Sequence, residues 1–166
     1  MPESLPHIPG GFRPVCVLAS AVHDQNAPPT KGAPMDFVSV RVITDDLARL
    51  VAFYEKATGI PADRVTEDFA ELRTPTATLA LGSTRTVPLF APGSARPADN
   101  HSVIIEFRVD DVDRVHENLA GTGTEFVREP TTMPWGNRAL LLRDPDGNLV
   151  NFFTPVTPAA QERLAR

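Results

Sequence analysis

From residue 36 onward, apolar and polar positions fall into two alternating regimes. "DFVSVRVI" (36–43) alternates with a period of two and is rich in β-branched residues, which predicts a strand. "TDDLARLVAFYEKATG" (44–59) then switches to helical spacing, with Leu47, Leu50, Val51 and Tyr54 on one stripe. Thr44, Asp45 or Asp46 can cap this helix by accepting hydrogen bonds from free backbone amides, and Gly59 can end it in a left-handed conformation. Three strand candidates follow, "FAELRT", "ATLALGS" and "TVPLFA", separated by turn residues.

The second half repeats the plan. "HSVIIEFRV" (101–109) reads as a strand and "DDVDRVHENLAG" (110–121) as a shorter helix with Val112, Val115 and Leu119 on its stripe. "EFVREP", "NRALLLRD" and "NLVNFFTP" are its strand candidates, the last two joined by the tight turn Asp144-Pro145-Asp146-Gly147-Asn148. Asp45-Asp46-Leu47 lies 65 residues before Asp110-Asp111-Val112 (110 minus 45), and "PLFAP" (88–92) echoes "NFFTP" (151–155). The chain therefore contains two copies of a strand–helix–three-strand unit, about 36–92 and 101–156, within one domain of residues 35–156.

Residues 1–34 differ in kind. Prolines at 2, 6, 9, 14, 28, 29 and 34 and the linker-like "HDQNAPPTKG" predict a poorly ordered arm, and residues 157–166 a C-terminal tail. "MDFVSV" at Met35 also reads as a natural start for the folded part, so the arm is either a start-site artefact or a segment that packs on a partner. "VCVLASAV" (15–22) imitates the end of a signal peptide, but Glu3 and the Pro-Gly-Gly interruption argue against one.

Composition narrows the function. The 166 residues carry a net charge of −5 with no basic stripe, which argues against nucleic acid as partner. No apolar run reaches the ~20 residues of a membrane-spanning helix. The single cysteine, Cys16, excludes an intrachain disulfide and fits a cytoplasmic location.

The tandem βαβββ plan, together with "DDLARLVAFYEKATG", "VDDVDRVHENL" and "MPWGNRALLLRDPDGNLVNFF", resembles the vicinal oxygen chelate superfamily of glyoxalase I, extradiol dioxygenases, methylmalonyl-CoA epimerase and bleomycin-resistance proteins. The resemblance implies an α+β fold in which two modules form an open, curved mixed-sheet barrel. Helices then lie on the convex side and a ligand in the concavity. It also implies a homodimer. Metal-dependent members carry a glutamate ligand where this chain has Asn151, and the other three ligand positions map onto Ser39, Pro88 and Ile104. None of these side chains supplies the imidazole or carboxylate a divalent ion prefers, so no metal and no cofactor is expected.

Strand alternation separates the faces. Val38, Val40 and Val42, with Val103, Ile105 and Phe107, are expected under the helices. Ser39, Arg41 and Ile43, with Ile104, Glu106 and Arg108, face the concavity, as do Leu149, Asn151 and Phe153 in the last strand. Arg41 and Glu106 can pair with each other, whereas an unpaired Arg41 favours an acidic ligand, because a guanidinium forks to carboxylates. Trp135 is expected beside the cavity or at a dimer contact, and Phe37, Phe90 and Phe153 can extend the apolar lining. Of four histidines, His7 and His23 lie in the arm, His116 is expected to be a solvated helix residue, and His101 can reach the cavity mouth. The ligand-binding candidates are therefore Ser39, Arg41, His101, Ile104, Glu106, Arg108, Trp135, Asn151 and Phe153. Three functions fit: a metal-free small-molecule binding protein; a lyase, isomerase or dioxygenase using noncanonical metal ligands or Glu106 and His101 as an acid–base pair; and a structural or regulatory dimer module.

Overall fold

The computed structural model describes residues 36–165. The arm of residues 1–34, with Cys16, His7 and His23, lies outside the described residues. The element order is β1 (Ser39–Thr44), α1 (Leu47–Thr58), β2 (Asp63–Thr66), β3 (Phe69–Arg73), β4 (Thr78–Ser83), a 3-10 helix (Thr84–Leu89), β5 (Ile104–Arg108), α2 (Val112–Leu119), β6 (Glu125–Thr132), β7 (Asn137–Arg143), β8 (Leu149–Pro155) and α3 (Pro158–Leu164). Two four-stranded mixed sheets result, ordered β1-β4-β3-β2 and β5-β8-β7-β6. In each, the first strand of the module pairs in parallel with its last strand, and the other pairings are antiparallel. The fold is α+β with tandem βαβββ modules, and the sheets do not close on one another.

The helices form where the stripes predict. Asp46 caps α1, its Oδ1 accepting from the Arg49 amide at 3.0 Å, and Thr44 Oγ1 accepts from the Asp46 amide at 3.1 Å. Gly59, with φ of 71°, ends α1 in the left-handed region that costs glycine nothing. Asp111 caps α2 in the same way. Leu50, Val51 and Tyr54 of α1 and Val112, Val115 and Leu119 of α2 join Leu72, Leu81, Leu140, Leu142, Val150 and Phe152 in one buried cluster spanning both modules. Phe107 and Phe152 stack at 5.2 Å between ring centroids, and Tyr54 meets Phe107 at 6.1 Å. This places Val42, Ile105, Phe107, Val150 and Phe152 on the helix side, as alternation requires. Val38 and Val103 precede their strands and are exposed instead.

Buried polar groups hold the β7–β8 hairpin against α1. The Asp144 carboxylate accepts from the Tyr54 hydroxyl at 2.8 Å, from Asn148 Nδ2 at 2.8 Å, and from the backbone amides of Asp146 and Asn148 at 2.9 Å each. Arg49 donates to Asp146 Oδ1 at 2.6 Å. The Asp-Pro-Asp-Gly-Asn turn is thus an internal network centred on Asp144 rather than only a solvent-facing turn, although the buried Asp146 Oδ2 has no hydrogen-bond partner among the described residues.

Four expectations change. "TVPLFA" is not a strand: Ser83 Oγ accepts from the Arg85 amide at 3.2 Å and starts a 3-10 helix, in which Pro88 donates no ladder hydrogen bond. The missing third strand of the module is the short, polar β2, whose sequence Asp-Arg-Val-Thr carries too little alternation to be read. The 157–166 segment contains α3, capped by Thr157 and opened by Pro158, a pattern legible in the sequence. His116 is half-buried, with Nε2 2.7 Å from Glu129 and its ring 4.6 Å from that of Phe126.

Candidate functional site: the open faces of the two sheets

Parallel pairing puts residues opposite one another on the same face. In the first sheet Ser39, Arg41 and Ile43 lie opposite Thr78, Ala80 and Gly82. In the second, Ile104, Glu106 and Arg108 lie opposite Leu149, Asn151 and Phe153. These are the faces turned away from the helices. Glu106 is 65 residues after Arg41 (106 minus 41), and its neighbour is Asn151 where Arg41 has Ala80. The first-module counterpart of Asn151 is therefore Ala80. Pro88 lies in the 3-10 helix and has no such place, because the "PLFAP" and "NFFTP" echo is not structural.

The donor set at these positions is then Ser39, Ala80, Ile104 and Asn151: one hydroxyl, one amide and two hydrocarbon groups. It does not fit a divalent metal. Among the described residues, no group of three or more His, Cys, Asp or Glu side chains converges elsewhere.

Arg41 and Glu106 do not pair. Asn151 Nδ2 donates to Glu106 Oε1 at 2.7 Å. The Arg41 guanidinium instead lies over two aromatic rings, 4.7 Å from the centroid of Phe69 and 4.9 Å from that of Phe90. Phe69 faces Gly82 across the β3–β4 pairing and so comes up beside Ile43 and Arg41. Phe90 arrives because the 3-10 helix folds back over the end of the sheet, burying Thr86 and Val87. Gly82 permits that approach: a Cβ there would sit 3.0 Å from Thr86 Oγ1. A hollow of about 430 Å3 opens beside Ser39, Arg41, Ile43, Val87 and Phe90.

In the second sheet, α3 changes the picture. Arg108 Nη1 donates to the Leu164 carbonyl at 3.0 Å, and Arg163 Nη2 to the Trp135 carbonyl at 3.3 Å. Arg108, expected to meet ligand, thus holds the last turn of α3, where a cation is favourable. Trp135 sits in the Met133–Gly136 turn and is 55% exposed in the single chain. His101 is exposed, with Nδ1 3.3 Å from the Asp99 carbonyl, while the Glu106 carboxylate is engaged by Asn151. Each half of the suggested acid–base pair therefore bonds elsewhere. Sequence reasoning missed Phe69 at the site. Its alternation with Ala70 and Leu72 of the core could have placed it on the open face.

The family model described as Glyoxalase/Bleomycin resistance protein/Dioxygenase superfamily matches residues 36–152. The chain belongs to that superfamily, whose range covers both modules through most of β8. It is similar to the uncharacterized protein YraH of Bacillus subtilis (strain 168), 22% identical over 125 residues, covering 72% of this chain and 98% of that one. Solved structures with the same fold include a glyoxalase/bleomycin resistance protein/dioxygenase family enzyme from Burkholderia phytofirmans PsJN, with TM-score 0.65, 19% identity, 74% of this chain and all (100%) of that one. TioX from Micromonospora sp. ML1 matches with TM-score 0.56, 23% identity, 74% of this chain and 100% of that one. Among the described residues, no helix is long and apolar enough to cross a membrane.

Proposed function

We propose that the protein binds a small organic molecule on the open face of its sheets, in a reducing cytoplasm and without the divalent-metal site of metal-dependent superfamily members. The supporting observation is the hollow of about 430 Å3 beside Arg41, which combines apolar walls from Ile43, Val87 and Phe90 with the polar groups of Ser39 and Arg41. A small-molecule site has this mixture: apolar area supplies affinity, and a few polar groups fix orientation.

The reading includes a homodimer that covers the open faces. Phe90, Ile104 and Trp135 are large apolar groups left exposed in the single chain, at 72%, 50% and 55%. Large apolar groups left in water favour a partner that covers them. Light scattering at micromolar concentration is expected to give a dimer, and a monomer would remove this part of the reading.

Native mass spectrometry with elemental analysis, on protein purified without chelator, tests the rest. The expected result is a metal-free chain with a copurified organic mass. Phe90→Ala, which removes an exposed wall of the hollow, is expected to weaken binding of that compound and leave metal content at zero. One divalent ion per chain would overturn the donor assignment and move the lyase, isomerase or dioxygenase reading ahead.

A further inference from the structure

We propose that the ligand of the first-sheet hollow is a carboxylate-bearing molecule with a flat or branched apolar body, its acid group forked by Arg41; this rests on the binding reading above. Arg49, Arg73, Arg85, Arg96, Arg138 and Arg143 each meet a carboxylate of this chain. Arg108 and Arg163 donate to backbone carbonyls. Arg64, Arg114 and Arg128 have no such partner among the described residues either, and Arg41 is set apart by lying over two aromatic rings. Among the described residues, no carboxylate or carbonyl forms a hydrogen bond or ion pair with it.

The geometry gives that arrangement a chemical meaning. Guanidinium N–H donors point outward in the plane of the group, while aromatic rings attract its flat face. Contact with Phe69 and Phe90 therefore orients the side chain without consuming its five donors. A carboxylate can accept two parallel hydrogen bonds from such a fork. Ser39, two residues earlier on the same face, also lines the hollow and offers a hydroxyl. Apart from Ser94, the remaining walls are hydrocarbon: Ile43, Val87, Ala95 and the exposed ring of Phe90. They suit an apolar body attached to the acid group and give nothing to a small hydrated anion. A cationic ligand would meet the Arg41 charge with no acidic side chain lining this hollow to offset it.

The test titrates the full chain with 2-naphthoate, 2-naphthamide and inorganic phosphate, following Arg side-chain 15Nε and backbone amide resonances by NMR. 2-Naphthoate is expected to bind saturably, to shift the Arg41 Nε resonance and to bind at least about tenfold more tightly than the amide, because charge-assisted hydrogen bonds exceed neutral ones. Arg41→Gln is expected to remove that preference, and Arg41→Lys to restore part of it, since lysine keeps the charge and loses the fork. Equal binding of acid and amide at open-face amides, unchanged in Arg41→Gln, would overturn the acid class and leave the binding reading standing. Phosphate binding as tightly as naphthoate would overturn the apolar body. If neither naphthalene compound shifts an open-face resonance at millimolar concentration, both this inference and the binding reading fall.

Discussion

Replacing Asp144 with alanine is expected to destabilise the protein by at least about 3 kcal/mol, because several buried donors lose a charged acceptor. The carboxylate accepts from two side chains and two backbone amides. Alanine leaves the Tyr54 hydroxyl, Asn148 Nδ2 and the backbone amides of Asp146 and Asn148 without this acceptor in a buried setting, and each orphaned donor costs about 1–3 kcal/mol. Urea unfolding with an unchanged m-value checks this; a loss below about 1 kcal/mol would mean that water replaces the carboxylate freely. Loss of the network would also loosen the turn that feeds β8, and so the Glu106–Asn151 pair on the open face.

The same contact carries a pH signature. Burial, and then the adjacent Asp144 carboxylate and its hydrogen bond, push the Tyr54 phenol well above its ordinary value of 10.0. The folded value is the higher one, so folding holds the proton more tightly than the unfolded chain does. The resulting stability is fully present below about pH 10 and is lost as pH rises from there through the folded value. The melting temperature of the wild type is expected to fall above pH 10 more steeply than that of Tyr54→Phe. Parallel alkaline profiles would show that Tyr54 ionises as freely in the folded chain as in the unfolded one.

Gly136→Ala is the second large change. Gly136 has φ of 92°, which an L side chain rarely adopts, and a Cβ there would collide with Thr157 Oγ1. Strained backbone costs about 1–3 kcal/mol, and overpacking typically adds about 1–3 kcal/mol. Thr157 Oγ1 is the cap of α3, accepting from the Ala160 amide at 3.3 Å, and the Gly136 carbonyl accepts from the Val156 and Thr157 amides. The strain therefore falls on the docking of α3 against the Met133–Gly136 turn. Hydrogen exchange is expected to show lost protection in α3 and at Trp135 before any change in the first module. Protection unchanged in both places would mean that the turn accommodates the methyl group by shifting as a unit.

Much of this molecule was legible along the chain. The α1 and α2 stripes, the caps at Asp46 and Asp111, the Gly59 stop and the two-module repeat all rest on residues within a few positions of each other. Alternation also assigned Arg41, Glu106 and Asn151 to the faces turned away from the helices, and the strand registers agree with that alternation. The strands of the first module were read less well. Polar β2 has no apolar face to announce it, and Pro88 should have demoted "TVPLFA" to a turn.

The sequence by itself determined α1, α2, most of the core strands and the residue types on their open faces, because side-chain period, capping and turn chemistry act locally. Only the tertiary structure decided the partners. Arg41 could have met Glu106, yet it meets Phe69 and Phe90, and Glu106 meets Asn151, 45 residues away. Arg108 donates to the Leu164 carbonyl, 56 residues away. Such pairings depend on how the 3-10 helix and α3 fold back across their sheets. That is settled by the packing of Thr86 against Gly82 and of Thr157 against Gly136, contacts that no local period encodes.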